Sequence, residues 1–249
     1  MAVRPKSISR LVIILFVALL LYFYLRPVTF LLNEKRDARN KPELWVVPVP
    51  IDVVTLKSPA ARTFSYFGYD FDSPWADVKS ERNTALITAL TFSGERGISF
   101  WNPEKIQDDL GILRAPGGRA SPFEGMFGEE AMRSDFAFRS KVLNQTPADL
   151  RLRFSPQAMV GESLLLMFKG IDARKGVERV YSFETSNFRG FQAGDPNHDD
   201  TIIIEAFDAQ GRTMRVFVEQ KRGKGGMVSQ SDINLILTSI RPHPASPAK

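Results

Sequence analysis

Thr201-Ile-Ile-Ile-Glu-Ala-Phe-Asp-Ala-Gln-Gly-Arg-Thr-Met-Arg-Val-Phe-Val-Glu219 is the stretch that decides the fold. Two arms rich in β-branched and aromatic residues, Thr201 to Phe207 and Thr213 to Glu219, flank the turn Asp208-Ala-Gln-Gly-Arg212, which is the signature of a hairpin. In the second arm Met214, Val216 and Val218 alternate, so one face is apolar. A helix follows. Ser229 caps it, Asp232 stands at the third helical position, and Ile233, Ile236, Leu237 and Ile240 share a face before Pro242 ends it.

Upstream, Leu86 to Phe92 alternates and Ser93-Gly-Glu-Arg-Gly97 turns the chain into Ile98 to Trp101, a second hairpin. Val177 to Thr185 is another strand. Thr63 to Phe71 reads as one strand whose alternation slips beside Gly68, as at a bulge. Between these β-rich stretches the punctuation is helical. Asn102-Pro103 opens a helix that closes at Gly111, and Ser121-Pro122 with Glu124 forms a capping box. Thr146-Pro147 and Ser155-Pro156 repeat the device, the last opening a helix with Val160, Leu164, Met167 and Phe168 on one face. The order β-rich, α-rich, β-rich, α predicts an α+β fold: a mainly antiparallel sheet with packed helices, an α/β sandwich.

Two stretches, Tyr69-Asp-Phe-Asp-Ser-Pro-Trp75 and the closing helix ending Ile236-Leu-Thr-Ser-Ile240, resemble the two ends of Mog1/PsbP-like domains. The resemblance implies an α–β–α sandwich around an antiparallel sheet and an accessory or assembly role without catalysis. It implies no catalytic residues, and the helical middle, residues 102–170, departs from the pattern.

The net charge of +5 is not spread evenly. Residues 1–41 hold eight Lys/Arg against two Asp/Glu, and the rest of the chain holds 25 against 26. The excess flanks the apolar run Leu11 to Leu25, the arrangement of a membrane topology signal and not of a nucleic-acid-binding domain. That run extends through Arg26-Pro27-Val28-Thr29-Phe30-Leu31-Leu32 to near the ~20 residues that cross hydrocarbon, with Arg26 snorkelling and Tyr22 and Tyr24 at headgroup level. A cleaved signal peptide needs small residues after the run, and Tyr-Phe-Tyr-Leu-Arg-Pro27 offers none. Arg4, Lys6 and Arg10 precede the run without an acid, and Arg26 and the basic stretch Asn33 to Lys41 follow it, so basic residues lie on both sides; the short N-terminus gives the default, tail in the cytoplasm and domain outside the cell membrane. The expected division is an anchor at 1–32, whose residues 11–32 contact lipid, a charged and extended linker at 33–61, a globular domain at 62–241 and a disordered tail at 242–249.

Catalytic signatures are sparse. The chain has no Cys, which removes disulfides, thiolate metal sites and a Cys nucleophile. Gly161-Glu-Ser-Leu-Leu165 lacks the second glycine of a nucleophile elbow and lies in a helical pattern, so Ser163 reads as an ordinary helix residue. Only His198 and His243 exist, and no phosphate loop, dinucleotide fingerprint or zinc motif occurs; no cofactor is expected. Asp195-Pro-Asn-His-Asp-Asp200 sets Asp195, Asn197 and Asp199 at alternate positions, as in a calcium loop, although Asp200 and Ala206 stand where such a loop has Gly and Glu. It is either a cation site or a polar loop. Lys221, Arg222 and Lys224 form a basic loop, either a solvated connector or a contact for anionic lipid or an acidic partner. Two functions remain: a membrane-surface accessory or binding module, or an envelope hydrolase using a carboxylate pair.

Overall fold

The computed structural model describes residues 5–53, 60–106, 113, 123–172, 178–223 and 226–243; within 5–20 only the side chains of Phe16 and Leu19 are described. The chain begins with helix α1 (Pro5–Asp37), then turns through two 3₁₀ segments to the short strand β1 (Val49–Pro50). β2 (Arg62–Tyr66), β3 (Tyr69–Ser73), β4 (Val78–Asn83), β5 (Ile87–Phe92) and β6 (Arg96–Trp101) follow. A helical lobe comes next: α2 (Glu124–Phe127), α3 (Asp135–Asn144) and α4 (Pro156–Asp172). The chain ends with β7 (Val180–Glu184), β8 (Phe188–Ala193), β9 (Thr201–Asp208), β10 (Thr213–Glu219), α5 (Gln230–Ser239) and β11 (Arg241–Pro242).

The fold is α+β. An eight-stranded sheet runs β1-β7-β8-β9-β10-β6-β5-β4, and every pairing in it is antiparallel except β1 with β7. The decisive hairpin pairs Thr213 with Phe207 through to Glu219 with Thr201. A smaller sheet, β11-β3-β2, lies against one face of the large one. The alternating residues of that face (Leu90, Phe92, Ile98, Phe100, Ile202, Ile204, Val216 and Val218) pack with Phe64, Phe71 and Trp75 of the small-sheet region. Ile233, Ile236, Leu237 and Ile240 complete this core. The helix α5 carries a full capping box between Ser229 and Asp232.

Several elements differ from expectation. Thr63 to Phe71 is two strands joined by the turn Phe67-Gly68, both at positive φ (51° and 78°), with Tyr66 opposite Tyr69. A two-residue hairpin turn of the primed type needs that geometry, and in sequence it breaks the alternation just as a bulge does. The helix expected from Asn102 is a 3₁₀ turn, Pro103–Lys105, capped by Asn102; residues 107–112 lie outside those described. So do Ser121 and Pro122. Thr146-Pro147 opens only a turn, closed by Asp149 accepting from the Thr146 amide at 2.8 Å and hydroxyl at 2.7 Å.

In α4 the deepest residues are Met159, Ser163, Leu165, Leu166 and Lys169. This helix is covered on two sides. Leu165 belongs to a cluster with Phe127, Phe138 and Val142, while Met159 and Leu166 belong to one with Leu31, Ala38, Leu44 and Leu150. The second cluster redraws the N-terminal boundaries. Leu31, expected in lipid, is 1 % exposed and packed on α4, with Val28 beside it. The stretch 33–61, expected as a solvated linker, holds the end of α1, the buried Ala38 and Leu44, and β1. At the other end Pro242 pairs with Tyr69 and the His243 amide donates to the Gly68 carbonyl at 2.7 Å, so the ordered chain runs past 241.

Candidate functional site

The second face of the large sheet carries the main recess. Pairing of β8 with β9 sets Arg189 opposite Phe207, with Phe191 two residues on. Ser134 caps α3 by accepting from the Ala137 amide at 3.2 Å, which fixes the entry of the helix and lays Phe136 on this face. Its ring stacks on Phe191 at 5.4 Å and meets Phe207 edge-on at 5.7 Å. The Arg189 guanidinium sits 4.1 Å over the Phe136 ring, a cation–π pair. Three open depressions meet at this pair. One of about 650 Å³ runs between the start of α3 and the β7–β8 and β9–β10 turns, past Asn187, Asp208 and Gln210. A second of about 820 Å³ follows α3 past Lys141 and Asn144, and a third of about 510 Å³ reaches Pro50 and Asp52. Volumes of this size suit small ligands or peptide segments.

Glu205, two residues before Phe207 on β9, centres an ion triad. Glu205 Oε2 accepts from Arg139 Nε at 2.6 Å and Glu205 Oε1 accepts from Arg215 Nε at 2.8 Å. The Glu205 and Arg139 side chains are about nine-tenths buried. Removing the Glu205 carboxylate would take an ion-pair partner from the buried Arg139, which is costly. The triad locks α3, through Arg139, to the face on which Phe136 rests.

Asp208 and Asp70 are committed to structure. Asp208 accepts from the Gln210 and Arg212 amides at 2.9 Å each and from Arg212 Nε at 2.6 Å, which holds the β9–β10 turn. Asp70 lies against Ser65 at 2.5 Å and His243 at 3.0 Å. The Ser65 hydroxyl above all, with His243 and Arg241, holds the Asp70 carboxyl below the usual carboxylate range against the opposing effect of burial.

Asp195, Asn197 and Asp199 are brought together as a self-capped turn. Asp195 Oδ1 accepts from the Asn197 amide at 2.9 Å, and Asp199 Oδ2 accepts from the Asp195 amide at 2.7 Å. The second oxygen of Asp195 is held by Arg179 at 2.5 Å and Tyr181 at 3.3 Å. Burial raises the Asp195 pKa, but the Asn197 amide, Arg179 and Tyr181 together bring it below the ordinary value. Gln220 Nε2 takes the Pro196 and Asp199 carbonyls at 2.6 and 2.7 Å. Both Asp195 oxygens and Asp199 Oδ2 thus serve the loop, and among the described residues no group of three or more His, Cys, Asp or Glu could hold a metal ion. In the basic loop Lys221 pairs with Glu95 at 2.9 Å and Arg222 with Asp200 at 3.4 Å; Lys224 lies outside the described residues. Ser163 is buried in α4 and donates to the Met159 carbonyl at 2.8 Å.

Helix α1 has two characters. Its last third docks on α4. Its earlier part presents Phe16, Leu19, Leu21, Phe23 and Leu25 at 50–61 % exposure. Among the described residues no helix is long and apolar enough to cross a membrane; the described side chains of the apolar run are Phe16, Leu19 and those from Leu21 to Leu25. Comparison with family models, with curated proteins and with solved structures returned no match.

Proposed function

We propose that this chain is a single-pass, membrane-anchored accessory or binding protein whose domain stands outside the cell membrane and offers the Phe136–Arg189 recess to a partner at the membrane surface. The observation that carries the reading is the exposed apolar surface of α1 from Phe16 to Leu25 on a helix whose far end is fixed to the domain. A soluble protein rarely leaves such a patch uncovered, and Leu11 to Leu25 is uninterrupted in sequence. With Leu31 buried on α4, the lipid-embedded part is 11–25, framed by Arg10 and Arg26. A run of 15 residues spans ~22 Å, a short span that snorkelling and local thinning accommodate. Lys and Arg lie on both sides of the run, Arg4, Lys6 and Arg10 before it and Arg26 to Lys41 after it, so the cytoplasmic placement of the N-terminus rests on its shortness.

We read the role as non-catalytic: Asp135, Glu184 and Asp208 line the first depression, but Asp208 is tied into the β9–β10 turn, and a carboxylate-pair hydrolase needs two acids converging in one cleft. That reading also accords with the Mog1/PsbP-like resemblance, whose two stretches meet where the Asp72 amide donates to the Ser239 hydroxyl at 2.8 Å.

Protease added to spheroplasts should remove the domain, and alkaline carbonate should leave the chain in the membrane. Full protection of the domain, or its release by carbonate, would sink the anchor reading. A photo-crosslinker at Gln210 should capture a membrane or envelope partner, and Arg189→Ala should abolish the adduct; an adduct indifferent to Arg189 would place the partner elsewhere.

A further inference from the structure

We infer that the loop Arg151-Leu-Arg-Phe154 is a second lipid contact, seated in the headgroup layer beside α1; this rests on the anchor reading above. The Lys35 ammonium donates to the Leu150 carbonyl at 3.0 Å, and the Tyr24 hydroxyl donates to the Arg153 carbonyl at 3.0 Å. The segment 150–153 therefore runs along α1 from the level of Lys35 back to that of Tyr24, towards the free apolar end of the helix. There the loop turns large apolar side chains outward: Leu152 is 63 % exposed and Phe154 fully exposed. Leu21 and Leu25 on α1 are likewise exposed.

Tyr24 closes the apolar run and precedes Arg26, which places it at the boundary between hydrocarbon and headgroups. A loop bonded to Tyr24 lies at the same depth. Leu152 and Phe154 alternate in sequence with Arg151 and Arg153. Arg153 is bridged to Glu162 at 2.6 Å. Arg151 has no ion-pair partner among the described residues and is free to meet a lipid phosphate. Apolar residues that dip below the phosphates while arginines stay level with them make an interfacial anchor. The occupant of this surface is thus the bilayer itself.

The absence of cysteine from the chain makes the test direct. The full chain, carrying an environment-sensitive fluorophore at one introduced cysteine, is reconstituted into protein-free vesicles of phosphatidylcholine and phosphatidylglycerol. Labels at Leu152→Cys, Phe154→Cys and the anchor position Tyr22→Cys should shift to the blue and lose intensity to a shallow spin-labelled lipid. A label at Ser80→Cys, on the exposed strand β4, should do neither. If Tyr22→Cys responds and both loop positions report water, the loop inference falls and the anchor stands. If Tyr22→Cys reports water, both fall. Loop labels that respond in native membranes but not in pure lipid would mean that a protein covers the loop, and would overturn the lipid assignment.

Discussion

Lys169 Nζ donates to the Val46 carbonyl at 2.6 Å, joining α4 to the segment that leads into β1. The same ammonium reaches the Leu143 and Gln145 carbonyls at 2.8 Å each, at the end of α3. Its three protons meet three acceptors, and the side chain is buried. Lys169→Met keeps the stem but strands those carbonyls. A buried acceptor left unmade costs about 1–3 kcal/mol, so the variant should lose about 3 kcal/mol or more, read as a lower urea midpoint in detergent.

The same lysine gives a pH dependence of definite sign. Burial, opposed by the Asp149 charge, pushes its pKa down to about 8. From there to the ordinary lysine value of about 10.4 the unfolded chain holds a proton that the folded chain has released. Stability contributed by this group therefore rises with pH across the window. The gap in urea midpoint between wild type and Lys169→Met should widen between about pH 7.5 and about pH 10; a narrowing gap would contradict the assignment.

Glu205→Ala removes the carboxylate that Arg139 and Arg215 share. Breaking a buried pair in this way costs about 3–5 kcal/mol. Because Arg139 holds α3, the loss should be accompanied by faster hydrogen exchange across Asp135–Asn144, while α5 stays protected.

Asp70 has a lowered pKa, so its contribution to stability is present above the ordinary carboxylate value and is lost as pH falls through the folded one. His243→Ala should raise the Asp70 value and move the acid transition upward, as followed by carboxylate NMR. Truncation after Ile240 should destabilise further by removing β11.

The N-terminal boundary can be tested by fragments. A chain starting at residue 27 retains Leu31, Ala38, Leu44 and the Val46 carbonyl, and should fold cooperatively. A chain starting at 62 lacks them all and should melt far lower. Leu31→Ala alone should cost about 2–5 kcal/mol, as for other buried leucines, where a residue in lipid would cost the domain nothing.

What the sequence disclosed was local. The Ser229–Asp232 capping box and the Thr201–Glu219 hairpin are written in neighbouring residues, and both stand as read. β4 was invisible because its residues face solvent almost throughout, leaving no alternation. β8 was hidden by Gly190, which occupies a core position without a side chain; a Cβ there would lie 2.0 Å from the Glu205 carbonyl oxygen and 2.8 Å from the Phe183 ring. α3 divides its apolar residues between two surfaces, Phe136 on the sheet and Phe138 and Val142 in the helical lobe, so no single stripe emerges. The Phe136–Arg189 recess joins an unnoticed helix to an unnoticed strand, and no motif announces it. The acidic loop shows itself in the sequence by its carboxylates, but their partners Arg179 and Gln220 come from other strands' ends.

Helix α1 is continuous from Pro5 to Asp37 and gripped by α4 over its last turns. A coil of roughly 30 residues in the place of the expected linker would let the domain wander by roughly 30 Å. A splinted base leaves no such freedom. With α1 in a bilayer, the recess is carried at one height and one attitude above the lipid, so a partner in the same membrane searches for it in a plane, and one whose own site stands at another height never meets it.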